Sequence, residues 1–193
     1  MVKVYRDFQY AKKFINKSTV AIGNFDGVHL GHLSLLKKAK KLASNSNTSF
    51  TILTFTPHPL KVLRPEFEPK SILRFRTKIE MLERAGVEIV LAQRFTKSFS
   101  KITAEKFVYD VLKNGLKAKN VVVGDDFKFG YKREGDVSYL VSKEFSEIFK
   151  VHIIDEISGK YGRYSSSSIR GMISSGDMLK VKESLGRSEE RRV

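Results

Sequence analysis

The stretch Val-Ala-Ile-Gly-Asn-Phe-Asp-Gly-Val-His-Leu-Gly-His, at residues 20–32, decides how this chain folds. Its first three residues form an apolar run of the kind that becomes a short buried strand. Glycines at positions 23, 27 and 31 then allow the backbone to turn tightly and to approach a ligand without a Cβ in the way. From Leu33 onward, apolar residues recur at helical spacing. The stretch therefore predicts a strand, a tight turn and a helix.

Two histidines, His29 and His32, fall at the N-terminus of the predicted helix, outside its apolar stripe. Free backbone N–H groups and the positive end of the helix dipole attract anions there. Residues three apart share a helical face, so both imidazoles can reach one phosphate. The alternative is a glycine-rich connection with merely exposed histidines. The combination of strand, glycines and helix favours a site for nucleotide phosphates.

The pattern continues along the chain as alternating strands and helices. Strands are predicted at 50–55, 87–92, 120–124 and 150–154, and helices at 31–44, 77–85 (capped by Thr77), 103–113, 167–175 and 177–185. Residues 137–147 are weakly helical, and residues 60–73 are expected to be irregular. Such alternation predicts an α/β fold with a parallel sheet covered by helices on both faces. Ligands bind beyond the carboxyl ends of such strands, so the loops near 23–32, 56–59 and 124–135 should gather there.

Composition narrows the class of protein. A chain of 193 residues that is 41% hydrophobic is sufficient for one α/β domain. The sequence contains no cysteine, which excludes disulfides and thiolate metal sites. It has no apolar stretch that predicts a membrane span and no signal peptide, so we expect a cytoplasmic protein without a membrane partner. The net charge of +15 is spread along the chain, and no aromatic-interleaved basic block predicts a nucleic-acid partner.

A second motif, Phe-Thr-Pro-His-Pro, ends the predicted strand at 50–55. Proline lacks the N–H group that a sheet ladder needs, so the strand stops there. Prolines on both sides of His58 would make a rigid loop, which can border a pocket at a low ordering cost. A plain proline-terminated strand with a surface histidine is the alternative.

A third motif, Gly-Asp-Asp-Phe-Lys-Phe-Gly, begins at Gly124. Phe127 and Phe129 alternate along an extended loop, so one should face a ligand while the other anchors in the core. An aromatic face can border a planar ring, and Asp126 can take its polar edge. A glycine-rich hairpin with two buried phenylalanines is the alternative.

The fourth motif is Gly-Arg-Tyr-Ser-Ser-Ser-Ser-Ile-Arg, at 162–170. A run of serines is typical of a flexible linker. Here a helical apolar stripe begins at Ile169, so the serines predict a helix cap instead. Their hydroxyls, together with the guanidinium of Arg170, would form a second anion site.

Together these four blocks resemble the prokaryotic FAD synthetases of the nucleotidylyltransferase superfamily. The first block matches the signature Gly-x-Phe-Asp-Gly-x-His-x-Gly-His at Gly23, Phe25, Asp26, Gly27, His29, Gly31 and His32. The last block departs from the family at Tyr164, which replaces an aliphatic residue, and at Ser167, which replaces threonine but keeps a hydroxyl. The resemblance extends over roughly residues 19–187 and implies a Rossmann-like domain at 1–187.

The activity implied by the resemblance is the transfer of AMP from ATP to FMN, which yields FAD and pyrophosphate, with Mg²⁺ accompanying ATP. It implies that His29 and His32 contact the ATP phosphates and the transition state. The implied ATP-binding residues are Gly23, Asn24, Phe25, Asp26, Gly27, Arg163, Ser165, Ser166, Ser167 and Arg170. The residues implied to border the flavin are Pro57, His58, Asp126 and Phe127. No carboxylate cage for the metal is visible in the sequence.

Two further expectations concern the end of the chain and the alternatives. In bifunctional relatives the Leu-Gly-Arg at 185–187 leads into a riboflavin kinase domain. Here we expect a short polar tail at 188–193, no kinase domain and a separate source of FMN. A nucleotidylyltransferase acting on a pantetheine or nicotinamide phosphate would keep the first and last blocks but not the middle two. A basic nucleic-acid-binding protein would leave all four blocks unexplained.

Overall fold

The fold is built on a six-stranded sheet in which every neighbouring pair of strands is parallel. We analysed a computed structural model that describes residues 1–188. Five of the six strands come first in the chain: β1 (Lys3–Tyr5), β2 (Ser18–Ile22), β3 (Ser49–Thr56), β4 (Ile89–Arg94) and β5 (Ala118–Gly124). A small hairpin of β6 (Lys128–Phe129) and β7 (Gly135–Asp136) precedes the sixth strand, β8 (Lys150–Ile154), and a second hairpin, β9 (Ser158–Gly159) and β10 (Gly162–Arg163), follows it.

The order of the strands is β1-β4-β3-β2-β5-β8. The chain therefore winds from β2 to one side through β3 and β4, and then to the other side through β5 and β8. A crevice opens beyond the carboxyl ends of β2 and β5, where the winding changes direction. This topology confirms the predicted Rossmann-like α/β fold.

Eight helices are present within residues 1–188: α1 (Phe8–Ala11), α2 (Leu30–Ser46), α3 (Pro59–Leu63), α4 (Phe75–Arg84), α5 (Ala104–Lys106), α6 (Val137–Leu140), α7 (Ser166–Ser174) and α8 (Met178–Leu185). Helix α5 continues as a π-helix over Phe107–Gly115. Single 3₁₀ turns lie at Pro65–Phe67, Phe99–Lys101 and Tyr131–Arg133. None of these helices is both long and apolar enough to cross a membrane.

Alternation along β2 explains how helices cover both faces of the sheet. Val20 and Ile22 point into the core formed with α1 and the π-helix, whereas Ala21 points into the core formed with α2 and α4. All five residues of β2 are buried as a result. A strand buried on both faces reads as a continuous apolar run, which is why the sequence reveals it.

The last two helices form a small separate core. Ile169 of α7 packs with Val181 and Leu185 of α8, and the partly buried Ile72 and Met172 pack against this cluster. The sequence predicts both helices to within a residue or two. Their position places the N-terminus of α7 at the carboxyl edge of the sheet.

The structure differs from prediction at several points. Helix α4 begins at Phe75 with Arg74 as N-cap, so Thr77 is not the cap. The region expected to be irregular contains α3 and a 3₁₀ turn, both of which begin at a proline that suits the first helical position. Of the weakly helical stretch at 137–147, only α6 is helical. Of the predicted polar tail, residues 189–193 lie outside the described residues.

Candidate active site

A cleft of about 630 Å³ lies beyond the carboxyl ends of β2, β5 and β8. Of the predicted site residues, fourteen line it: Gly23, Asn24, Phe25, Asp26, His29, His32, His58, Asp126, Phe127, Arg163, Ser165, Ser166, Ser167 and Arg170. Two lie elsewhere. The carbonyl of Gly27 accepts a hydrogen bond from Arg187 at 2.6 Å, and Pro57 lines a smaller neighbouring cavity. The loops that were expected to gather at this edge therefore do so.

The turn between β2 and α2 holds two non-glycine residues in the left-handed region. Phe25 has φ 49° and Val28 has φ 41°, while Gly27 has φ 83°. Such angles are strained for residues with a Cβ and persist only where packing enforces them. Both Phe25 and Val28 are fully buried. The turn is thus held in one shape by the core beneath it.

Gly31 serves a different purpose from the one that the sequence indicates. A Cβ at this position would lie 3.1 Å from ring atoms of His29 and 3.2 Å from the carbonyl oxygen of Tyr164. Both contacts are tighter than ordinary van der Waals distance. Glycine here leaves room for the His29 ring between α2 and the segment leading to α7.

His29 and His32 form a stacked pair at the start of α2. Their ring centroids lie 3.6 Å apart with planes inclined by 22°. His29 is the N-cap of α2, and its Nδ1 accepts from the backbone N–H of His32 at 3.3 Å. The proton of the neutral His29 ring is therefore on Nε2. His29 is only 5% exposed, so its ring also supports the local structure.

Burial sets the protonation of the pair. It lowers the pKa of His29 to about 4, and it lowers the pKa of His32 well below its ordinary value, helped by His29 and Lys78. Both rings are neutral at pH 7, and each supplies one N–H. The Nδ1 atom of His32 is buried and finds no hydrogen-bond partner within residues 1–188. The pair thus offers neutral donors, rather than imidazolium cations, to an anion.

Asp26 and Arg170 form an ion pair of 2.9 Å beside the histidines. Asp26 also accepts from the backbone N–H groups of Ile72 and Leu73, and Arg170 donates through Nε to the carbonyl of Lys70 at 2.8 Å. Their side chains are only 14% and 21% exposed, respectively. These contacts bind α7 to the turn after β2 and to the segment before α4, a bracing role that the sequence does not reveal.

Arg163 connects the two halves of the site that the sequence analysis separates. Its guanidinium lies 3.0 Å from Asp126, which is predicted to border the flavin, and it also pairs with Glu156. Phe127 lines the cleft, while Phe129 is buried and stacks on it at 5.4 Å. Phe129 thus anchors in the core as expected, and Phe127 is the phenylalanine that borders the cleft; its contact with a flavin stays a prediction.

Serines at the start of α7 cap the helix as predicted. Ser165 accepts from the N–H of Ser168 at 3.1 Å, and the hydroxyl of Ser166 donates to the carbonyl of Asp26 at 2.9 Å. The N-termini of α2 and α7 thus face the same cleft. Two such ends, each with backbone N–H groups, suit a ligand with several phosphates.

Several residues of the cleft region are not predicted from the sequence, and Phe67 and Lys78 are the most informative of them. Phe67 lines the cleft although it is 62% exposed, which suits a side chain that a planar ligand would cover. Lys78 lines the small neighbouring cavity. The sequence could have indicated Lys78, because this lysine lies on the helical stripe of Phe75 and Leu82, where an apolar residue is expected. A lysine on a buried stripe marks a polar environment.

Five carboxylates line the cleft, those of Asp26, Asp125, Asp126, Asp155 and Glu156. Asp26 and Asp126 each pair with an arginine. Within residues 1–188 no group of three or more histidine, aspartate or glutamate side chains could hold a metal ion. A magnesium ion would have to be carried largely by the phosphates of its ligand.

Known proteins resemble this chain over most of its length. Residues 11–168 match the family described as FAD synthetase. A bifunctional riboflavin kinase/FMN adenylyltransferase from Buchnera aphidicola is 35% identical over 96% of this chain and 60% of its own length. One of the same description from Listeria monocytogenes is 36% identical over 89% of this chain and 54% of its own length. The chain thus spans little more than half the length of these relatives.

A solved structure supports the fold. The crystal structure of a protein from Streptococcus pneumoniae, described as a macrolide-efflux protein, superposes with a TM-score of 0.81 at 26% identity. The overlay covers 97% of this chain and 62% of that one. Nearly the whole arrangement of strands and helices therefore recurs in an experimental structure.

Proposed function

Because the chain belongs to the FAD synthetase family, we propose that it transfers AMP from ATP to FMN and releases FAD and pyrophosphate. The observation that carries this proposal is the stacked histidine pair at the start of α2, which shares one cleft with the serine-capped start of α7. This arrangement suits a ligand with several phosphates. The aromatic side chains of Phe67 and Phe127 on the same cleft suit a planar ring system.

The reaction needs no covalent intermediate. A phosphate oxygen of FMN attacks the α-phosphorus of ATP in line, and the bond from that phosphorus to the oxygen bridging to the β-phosphate breaks as pyrophosphate leaves. The nucleophile is already an anion, so alignment and charge stabilisation are what the protein must supply. The N–H groups of His29 and His32 would donate to the phosphate oxygens as negative charge shifts toward the leaving group.

The remaining residues would position the two substrates. Serines 165–167 and the backbone at the start of α7 would hold the triphosphate, with Arg163 nearby. Asn24, Phe25 and the brace between Asp26 and Arg170 would shape the nucleotide pocket. Mg²⁺ would arrive on ATP as part of the substrate. The cytoplasmic location stays a prediction.

The decisive experiment is to incubate the purified protein with Mg²⁺ and ATP and with either FMN or riboflavin, and to resolve the flavins by chromatography. FMN should yield FAD, whereas riboflavin, which lacks the attacking phosphate, should not be adenylylated. Calorimetry with FMN, ATP and a random oligonucleotide tests the alternatives of another acceptor or a nucleic acid. If the folded protein forms no FAD from FMN, the proposal is wrong.

A further inference from the structure

A second cavity, of about 180 Å³, adjoins the main cleft on the side of the Pro57–His58–Pro59 turn. The two spaces share Asn24, Asp26, His58 and Pro69 in their walls. A ligand in the cleft can therefore extend one group into the smaller space. What that group must be is decided by the charges around it.

Four charged side chains line the small cavity, and three of them are already matched. Asp26 pairs with Arg170 at 2.9 Å, and Lys61 pairs with Glu68 at 3.1 Å. The fourth is Lys78, which has no carboxylate within 4 Å among residues 1–188. Its Nζ donates to the carbonyl of Asn24 at 3.1 Å and lies 5.8 Å from the ring centroid of Phe75. An ammonium group has three N–H donors, so this contact leaves two of them for a ligand or for water.

The partial burial of Lys78 disfavours the charged form of its side chain. Burial lowers its pKa from the ordinary value, with Asp26 partly opposing the shift. Lys78 also helps to lower the pKa of His32, so its charge acts on the histidine pair. An anion in the small cavity would relieve the burial cost and would lie against Asn24 and Asp26, which also line the main cleft.

We propose that Lys78 is a specificity-determining residue that binds the phosphate of the flavin acceptor, so that the site distinguishes a phosphorylated flavin from riboflavin. This inference rests on the proposed function. The phosphate ester would accept a hydrogen bond from the ammonium group. Its attacking oxygen would face the main cleft, where ATP is proposed to bind. Riboflavin lacks the phosphate and would leave the lysine as it is in the free protein.

The test compares two flavins on variants of one side chain. Lys78→Gln removes the charge but keeps a donor for the Asn24 carbonyl, and Lys78→Met removes both. FMN and riboflavin are titrated separately, without ATP, by the quenching of flavin fluorescence at pH 7.5. We expect FMN affinity to fall about 10–100-fold in both variants, as for loss of a charge-assisted hydrogen bond, and riboflavin affinity to change less than twofold.

The matched control is Lys61→Met, which removes a lysine from the same cavity whose ammonium is already paired with Glu68. It should leave the affinities for both flavins unchanged. Equal losses of FMN and riboflavin affinity in the Lys78 variants would mean that the lysine only supports the turn at Asn24, and would overturn the inference. An unchanged FMN affinity in Lys78→Gln would do the same. A wild-type protein that binds neither flavin would instead refute the proposed function.

Discussion

Under the proposed function, His29 combines a structural and a chemical role in one side chain. Its Nδ1 caps α2, and its ring stacks on His32 and leaves Nε2–H as the donor. The sequence shows the position of both histidines but indicates no structural role, because neither lies on the apolar stripe of α2. The structure corrects that view, since the His29 ring is buried. Substitution should therefore affect both stability and turnover.

The two roles can be separated by the choice of substitution. Asparagine is among the best N-cap residues, whereas alanine cannot cap. We expect His29→Ala to lose about 1 kcal/mol of stability and His29→Asn to lose less. Both should lower turnover by roughly 10²–10³-fold, as for removal of a transition-state donor. Urea denaturation and steady-state kinetics measure the two effects. Near-normal turnover in the asparagine variant would show that the imidazole has no part in the reaction.

The lowered pKa of His29 predicts how stability depends on pH. Between pH 4 and 6.5 the unfolded chain binds a proton at this residue that the folded chain does not bind, so the free energy of unfolding rises with pH in this window. The contribution is complete above pH 6.5 and is lost as the pH falls toward 4. At 1.36 kcal/mol per pKa unit it amounts to up to about 3 kcal/mol.

Denaturation midpoints from pH 4.5 to 7.5 test this dependence. His29→Asn should show a shallower fall toward acid than the wild-type protein, because asparagine does not titrate. The difference between the two slopes measures the titration of His29 together with its effect on the pKa of His32. Identical slopes would contradict the prediction.

At the scale of elements, the sequence predicts what depends on local pattern and misses what depends on distant partners. The strand predicted at 120–124 falls within β5, because a buried apolar run indicates a strand. The strand predicted at 150–154 coincides with β8, although none of its residues is fully buried. Strand β1 is three residues long and has no period to detect. The pair between Arg163 and Asp126 joins residues 37 positions apart, which no local spacing indicates. The four predicted blocks thus locate the site, but their mutual contacts come from the fold.

The start of α4 provides a prediction at this scale. Arg74 occupies the N-cap and its side chain makes no capping hydrogen bond. An aspartate there can accept from the free N–H groups of the first turn and also suits the positive end of the helix dipole. We expect Arg74→Asp to stabilise the protein by about 0.5–1 kcal/mol and to raise its melting temperature.

Thr77→Ala is the matched control for this substitution. Threonine lies inside the helix, where alanine has the higher helix propensity, so stability should stay the same or rise slightly. A loss of about 1 kcal/mol on Thr77→Ala would instead restore Thr77 as the cap.

At the scale of the whole molecule, the sheet and the last two helices are stabilised by hydrophobic cores of different size. The sheet has two extensive cores, one on each face, whereas α7 and α8 share a small one. Leu185 is 1% exposed and belongs to this small core. The N-terminus of α7, which lines the cleft, therefore depends on few apolar contacts.

Leu185→Ala should loosen this part of the molecule selectively. We expect a cost of about 2–5 kcal/mol, as for a buried leucine truncated to alanine. Amide hydrogen exchange should accelerate in α7, α8 and the turn at 23–28, while β2 and β5 keep their protection. Leu112 lies in the core between the sheet and the π-helix. Leu112→Ala should instead lower protection throughout the sheet. Equal acceleration everywhere in Leu185→Ala would show that the protein opens as a single unit.

The long-range hydrogen bonds to the turn around Asp26 also determine when the candidate site forms as the chain is synthesised. Ser166, Arg170 and Arg187 reach the turn after β2 across 140, 144 and 160 residues of sequence. Contacts between such distant residues form late, because the intervening loop must close first. A nascent chain can therefore assemble β2, β3 and β4 with their helices while the histidine turn still lacks its outer wall. We expect substrate binding to appear only after α8 has left the ribosome. The progress of translation therefore determines when the site can first bind its substrate.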